Sequence, residues 1–493
     1  MTNATEWSGP TLGRRADSMS WWPPTAGVAR RTGPRAVLVT LGAALAVTAI
    51  EFAMPGTAPM ARHALAILLL AMVGWTLTPL DDTFVAVAAA VAMTLFVTGR
   101  PEALFATLGN ELIWLLLASF LFAAALRASG VADRLIALAA GQARSVRGLA
   151  WILTGVILAT AFVIPSTSGR AAMMIPAYAA IAQYCTSRRM RTAFALLFPT
   201  AILLSAFASP LGAGAHLLAV DMVARLSGRA VGYLQWVIFG LPFAVMSAFL
   251  STEIILRIFL APEERGARLA LPSSETGRTP LRLQPVLWIA VAVVLGWLTE
   301  PVHRINPTVL ALLGALAAFC PGVGSVSFRD AIRDADLALL LFLAATICLA
   351  DGLVASGLHE WLVAAVFRPM QRGALPPAAI LALVTVIGLF AHLVIHSRTA
   401  RVSILLPPVL VLAQTAGISP VTAMLATVSA TGFCQTLMIS AKPVALFGRL
   451  AEDGYGAGDL ARLSAVLLPV HLLLIMLFAT VAWPAIGSVL AAP

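Results

Sequence analysis

From about residue 36 onward the chain is a succession of apolar runs separated by short polar joints, and a helix needs about 20 such residues to cross a bilayer. Nine runs read as conventional spans, near 36 to 54, 62 to 79, 83 to 98, 110 to 127, 232 to 259, 284 to 299, 305 to 320, 336 to 355 and 463 to 490. Four more, at 148 to 164, 171 to 186, 376 to 396 and 402 to 416, form two pairs, each parted by a few polar residues. That spacing predicts two re-entrant helical hairpins whose tips lie inside the membrane. The stretches 192 to 226 and 420 to 448 could also cross, but Ser-Pro-Leu-Gly-Ala-Gly at 209 to 214 and Ser-Ala-Lys-Pro at 440 to 443 interrupt them, so both read as broken helices. The expected fold class is an all-α polytopic membrane protein of about 11 transmembrane helices.

Composition agrees: 60% of the 493 residues are hydrophobic and 11% charged, against about 25% charged in soluble domains. The net charge of +10 is not gathered into basic helices or an aromatic-studded basic face, so a nucleic-acid partner is not expected. It acts instead as a topology signal. With the N-terminus inside, the first hairpin opening inward and the second outward, 21 of the 32 Lys and Arg fall inside, 7 outside and 4 within the membrane. Arg144, Arg147, Arg188, Arg189 and Arg191 then face the cytoplasm, and Arg368 and Arg372 the outside. The domain plan that follows has a polar cytoplasmic tail (1–35), scaffold helices (36–147), a first hairpin and broken helix (148–259), a cytoplasmic loop (260–283), further scaffold helices (284–372), and a second hairpin, broken helix and last helix (373–493). The Arg14-Arg15 pair lies too far ahead of the first apolar run to serve as a twin-arginine export signal. Integral membrane localisation follows, in a bacterial inner membrane.

Setting residue 165 against residue 396 aligns PSTSGRAAMMIPAYAAIAQ with HSRTARVSILLPPVLVLAQ without a gap, pairing Ser166 with Ser397, Arg170 with Arg401, Pro176 with Pro407 and Gln183 with Gln414. A fixed offset argues for an internal repeat, and an odd number of crossings between the copies makes it an inverted one. At each tip one arm ends in free carbonyls and the next begins with free N–H groups and a positive dipole end. Ser166, Thr167 and Ser168 in one tip, and Ser397 and Thr399 in the other, either cap a helix or touch a ligand there.

Arg170, Arg398, Arg401 and Lys442 are expected at membrane depth, where an ionised side chain costs at least ~2.5–3.5 kcal/mol. The segments 165 to 186, 396 to 416, 205 to 216 and 430 to 447 hold no Asp or Glu. Either acids elsewhere, such as Glu51, Glu111, Glu253 or Asp351, supply ion pairs, or a bound anion neutralises part of the charge. The planar guanidinium suits carboxylate or sulfate, which makes Arg170 and Arg401 the leading anion-binding candidates.

Ser166-Thr167-Ser168-Gly169-Arg170 and Ser397-Arg398-Thr399-Ala400-Arg401 resemble the paired hairpin-tip motifs of the divalent anion/sodium symporter (DASS) family, over nearly the whole chain from residue 36. The resemblance implies secondary transport of small divalent or multivalent anions, dicarboxylates or tricarboxylates, with sulfate or sodium-coupled symport as the alternative. It also implies a homodimer in lipid, in which spans 1 to 4 and 7 to 9 stay fixed while the hairpins with spans 5, 6, 10 and 11 move as an elevator. The trailing Arg in each motif resembles the exchanger branch. Two departures bear on sodium ligation: the family's tip Asn is Thr167 in one copy and Arg398 in the other, and its helix-break motif survives only as Gly212, Gly214 and His216. Sodium stays open as a bound ion and no other cofactor is expected. Helix-break and cation-site candidates are Ser209, Gly212, Gly214, His216, Thr431, Gln435, Thr436, Ser440 and Lys442, the last being the only lysine in the chain. In the second helix break the fixed ammonium of Lys442 could occupy the place of a sodium ion, which with Arg398 would make exchange sodium-independent; the alternative is a snorkelling lysine at a helix end.

An intramembrane enzyme would need metal ligands, and His392 and His396 are four apart. Position 393 is leucine, so no His-Glu-x-x-His motif exists. Cys185, Cys320, Cys348 and Cys434 are widely spaced and read as packing residues. A sensor is disfavoured because no sizeable soluble segment is present.

Overall fold

The computed structural model describes residues 58–78, 80–130, 142–268, 285–323, 326–358, 361, 375–438, 440–450 and 454–490. The tail, the expected first span at 36 to 54 with Glu51, most of the central loop, and Arg368 and Arg372 lie outside them. Among the described residues every regular element is helical. Helices α1 (Pro59–Leu77), α2 (Asp82–Met93), α3 (Glu111–Ala128), α4 (Val146–Thr160), α5 (Thr167–Ala182), α6 (Arg188–Ser205), α7 (Gly214–Ser227) and α8 (Tyr233–Phe259) make up the first half. The second half holds α9 (Pro285–Leu298), α10 (Pro307–Ala318), α11 (Leu337–Ala355), α12 (Pro377–Phe390), α13 (Arg398–Thr415), α14 (Pro420–Thr431), α15 (Lys442–Gly448) and α16 (Ala457–Leu477). Among the described residues, six helical stretches are long and apolar enough to span a bilayer.

Both hairpins expected from the sequence are present, α4/α5 and α12/α13. Their second arms begin at equivalent positions, Thr167 and Arg398, behind equivalent N-caps: Ser166 Oγ accepts from the Gly169 N–H at 3.1 Å, and Ser397 Oγ from the Ala400 N–H at 3.3 Å. Each cap satisfies a backbone donor that has no partner inside the helix.

Both long helices are broken, as expected. In the first, α6 gives way to two tight turns, Ala206–Ala208 and Pro210–Gly212, before α7. Glycine is required at 212, because a Cβ there would collide with the Ala206 carbonyl. In the second, the interruption is longer than the Ser-Ala-Lys-Pro signal suggested: α14 ends at Thr431 and α15 starts only at Lys442. Prolines at 420 and 443 flank an apolar sequence with no breaker until Gly432, so the early end was not visible in the pattern. Both second half-helices are entered through an extended alanine of near-identical backbone, Ala213 (φ −158°, ψ 146°) and Ala441 (φ −157°, ψ 146°).

Packing follows the repeat. Hairpin α4/α5 packs on α6, its own repeat's first half-helix, and its second arm also meets α15 of the other repeat. Hairpin α12/α13 packs in the same way on α14, and its second arm meets α7. The two repeats thus exchange their short half-helices and enclose one shared core, which an inverted repeat explains. Around it, α1, α2 and α11 pack together as one group and α3, α9 and α10 as another. Ile395 and Ala400 of the second tip belong to the hydrophobic cluster of α1, α2 and α11, so this tip lies against that group of helices.

Candidate anion-binding site

The tips and the helix breaks converge, and the 231-residue offset that relates the sequences also relates their hydrogen bonds. Arg170 Nη1 donates to the Ile202 carbonyl at 2.9 Å; Arg401 Nη1 donates to the Phe433 carbonyl at 3.3 Å. Donor and acceptor are 32 residues apart in both copies, and both arginines are fully buried. Arg170 reaches from its hairpin arm to the last turn of α6, and Arg401 to the unwound segment just past the end of α14.

The copies then diverge. Arg170 is closed by protein: Nε donates to Thr160 Oγ1 at 2.9 Å, and Nη2 to the Ile157 carbonyl at 2.6 Å and Ser205 Oγ at 2.7 Å. Arg401 adds only Nη2 to Cys434 Sγ at 2.9 Å, and its Nε has no acceptor among the described residues. The cause is legible: the repeat equivalent of Thr160 is Ala391, which has no hydroxyl, and that of Ser205 is Thr436, whose Oγ1 is 2.7 Å from Ser464 Oγ instead.

Arg398 stands in the second tip where the first has Thr167. Its Nη2 lies 2.9 Å from His216 Nε2, while Nε and Nη1 are buried without an acceptor among the described residues. His216 Nδ1 lies 3.1 Å from the Ser209 carbonyl, which can only accept, so Nδ1 carries the proton and Nε2 accepts from Arg398. Trp236 stacks on the imidazole at 5.1 Å. Glycine at 432 leaves room for the guanidinium, since a Cβ there would meet Arg398 Nη2 at 2.6 Å. Gln435 Oε1 accepts from the Cys434 N–H at 2.9 Å, and its Nε2 has no acceptor among the described residues.

Four buried nitrogens from Arg398, Arg401 and Gln435 are therefore unsatisfied by protein, at about 1–3 kcal/mol apiece and more where charged. Of the acids weighed as partners, the three that are described are engaged elsewhere. Glu111 accepts from Asn306 and Thr308, Glu253 pairs with Arg147 and Arg257, and Asp351, like Asp221, pairs with Arg225. Among the described residues no carboxylate forms an ion pair with Arg170, Arg398 or Arg401.

The other expected residues are more dispersed. Thr167, Ser168 and Thr399 are half-buried at the tips. Ser209 caps its turn and lies 3.3 Å from Tyr233 Oη. Gly214 faces the Leu339 side chain, Thr431 bonds back to the Thr427 carbonyl, and Ser440 accepts from the Leu437 N–H. Lys442 is exposed at the first position of α15. Asp82, not singled out from the sequence, lies on α2 close to Ser397, His396 and Lys442. His392 is buried and His396 exposed, and no group of three metal-ligating side chains occurs among the described residues. A cavity lined by Phe239, Pro376, Pro377 and Trp483 sits at the open end of the second hairpin, away from its tip, and has no charged lining residue.

Apolar spans around two hairpins, with buried cations left open at the second tip, fit a membrane transporter. The chain matches the family model described as the sodium:sulfate symporter transmembrane region over residues 35–489, and it belongs to that family, the DASS family. It is 23% identical over 407 residues to the citrate/succinate antiporter of Escherichia coli K12, covering 75% of this chain and 82% of that protein. A membrane protein of Cupriavidus necator is 24% identical over 318 residues, a match that spans 61% of that protein's length and 62% of this chain. In fold the chain is similar to the Alcanivorax borkumensis YdaH transporter, with a TM-score of 0.54 at 16% identity, covering 87% of this chain and 98% of that one.

Proposed function

We propose that this protein exchanges small divalent or multivalent organic anions across the bacterial inner membrane without sodium. The observation that carries the reading is the set of unpaired buried donors on Arg398, Arg401 and Gln435, which match the oxygens of a carboxylate pair. Arg170 is then a structural lock, and Ser166 and Ser397 are helix caps whose remaining hydrogen-bonding capacity faces the same space. A fixed guanidinium on Arg398 supplies the positive charge that sodium would otherwise bring, held in place by His216. Lys442, exposed beside Asp82, plays a lesser part at the edge. The relative that bears the name citrate/succinate antiporter supports exchange of organic anions. The family description, sodium:sulfate symporter, favours sodium-coupled oxyanion uptake as the second reading.

Exchange follows from charge. A mobile domain carrying unpaired arginines past an apolar scaffold pays a desolvation cost that a bound anion removes, so the loaded carrier crosses more readily than the empty one. The two hairpins with their broken helices form this moving body, and a homodimer in lipid holds the scaffold still. Purified protein in liposomes, with and without internal succinate, in sodium and in choline, tests the proposal. Uptake that requires internal succinate and ignores sodium supports it, whereas rapid sodium-dependent uptake into empty vesicles refutes it.

A further inference from the structure

The second hairpin holds a buried base that the anion site does not use. His392 is fully buried in the turn after α12, and its Nδ1 lies 2.6 Å from the Leu389 carbonyl. A carbonyl only accepts, so Nδ1 carries the proton and Nε2 presents a bare lone pair. That Nε2 has no partner among the described residues. The ring contacts Phe433 at 5.7 Å, and the Phe433 carbonyl accepts from Arg401, which places the base beside the anion site. Charged and titratable groups around it come from α13 (Arg401 and Arg398), from the unwound segment (Cys434) and from α16 (His471). The His471 ring contacts Phe433 from another direction at 5.5 Å. Helix α14 contributes none, and His396 on the same tip is exposed.

Arg398 and Arg401 keep free donors and can each pair directly with one carboxylate, whereas Arg170 is closed by protein oxygens. The third carboxylate of a trianion therefore finds no guanidinium to pair with, and a buried charge without a direct partner is costly. From this count we infer that His392 is a proton site that lets the carrier take a trianion: a proton from water adds to Nε2 as the trianion binds and returns to water when it leaves. Exchange of a trianion for a dianion then moves one proton with the trianion and no net charge. The inference rests on the anion-exchange reading and extends it to which anions the site tolerates.

The test uses full-length protein in liposomes loaded with succinate, with external citrate or succinate and an internal pH dye, comparing wild type with His392→Asn. Asparagine keeps a donor for the Leu389 carbonyl and deletes Nε2, and thermal melting reports whether the variant folds. Expected in the wild type is one proton entering per citrate with no current, and no proton in succinate self-exchange. In the variant the proton movement is lost and citrate uptake falls at least about tenfold relative to succinate, the scale of one interaction with a charged group. The inference is overturned if the wild type refuses citrate while exchanging succinate, if citrate exchange is electrogenic, or if the folded variant still moves a proton, which would then ride on citrate itself. Absence of succinate exchange in the wild type would overturn the carrier reading as well.

Discussion

Exchanging one hydroxyl between the two tips should exchange part of their roles. Thr160 closes Arg170 Nε at 2.9 Å, whereas alanine at the equivalent position 391 leaves Arg401 Nε open. A hydrogen bond to a charged group contributes about 1.5–3 kcal/mol. With an unfolding entropy of about 2.1 cal/mol/K per residue, a chain of this length shifts in Tm by ~1 °C per kcal/mol. Thr160→Ala should therefore lower the melting temperature in detergent by about 1.5–3 °C with little change in anion affinity. Ala391→Thr gives Arg401 Nε an internal acceptor, so it should raise the melting temperature slightly. The same variant withdraws that donor from the anion, weakening binding by roughly 10- to 150-fold, since 1.4 kcal/mol is tenfold. Succinate titration followed by thermal shift reads both quantities at once. Unchanged anion affinity in Ala391→Thr would refute the assignment of Arg401 Nε to the substrate, and wild-type stability in Thr160→Ala would refute the lock.

Removing whole side chains should sharpen the contrast: Arg170→Gln breaks four hydrogen bonds and should impair folding on size-exclusion chromatography, whereas Arg401→Gln should remain folded and lose succinate-induced stabilisation. Gly432→Ala sets a methyl against Arg398 Nη2 and should reduce uptake several-fold with its monomer–dimer profile unchanged, as checked in liposomes and by chromatography. In a cysteine-free variant, Arg189→Cys should react with impermeant maleimide only from the cytoplasmic side; labelling from outside would overturn the threading. Outside the membrane, the Ala261 N–H and the Ser187 hydroxyl hold Glu264 below its ordinary 4.5. Its lowered value gives the loop-to-α6 tether stability that is full above that pH and lost as the pH falls through the folded value, so limited proteolysis near 264 should speed up in acid, and less so in Glu264→Gln.

Much of the architecture was legible because the bilayer imposes it: apolar runs must become helices, and polar residues at membrane depth mark tips and breaks. Both hairpins, both broken helices and the repeat were readable for that reason. The offset of Ser166 to Ser397 carried further than the sequence alone showed, down to which carbonyl each arginine meets. What was not legible is the occupancy of each donor. Arg170 and Arg401 look alike in the alignment, and only the environments set by Thr160 and Ser205 against Ala391 and Thr436 separate them. Those residues lie outside the aligned motif, on neighbouring elements, and a short hydroxyl inside an apolar helix carries no pattern that distinguishes a partner from a helix back-bond. The long unwinding after Thr431 was hidden because its apolar sequence would also suit a helix. His471 and Asp82 gave no local signal, and their place is set by tertiary packing.

Under the proposed function, the divergence of the two tips is how a symmetric fold would arrive at a one-sided site. An inverted repeat supplies two tips with the same capped arm and the same arginine, but a small anion fits one set of donors at a time. Were both guanidiniums open, an anion bound at one would leave the other buried and unpaired, and breaking up such a balance costs about 3–5 kcal/mol. Closing Arg170 with two carbonyls and two hydroxyls removes that penalty without an acid, and leaves its charge as a fixed background field that favours anions nearby. The open copy can then carry a second cation: Arg398 occupies the position of Thr167, and His216 from the other repeat holds it. It is also the open tip that lies against α1, α2 and α11, with Asp82 close to Ser397. Under the proposed exchange, the surface that the moving body would slide along lies next to the charges that most need neutralising, so occupancy of the site, rather than the apolar packing of the first hairpin, would govern whether movement is favourable.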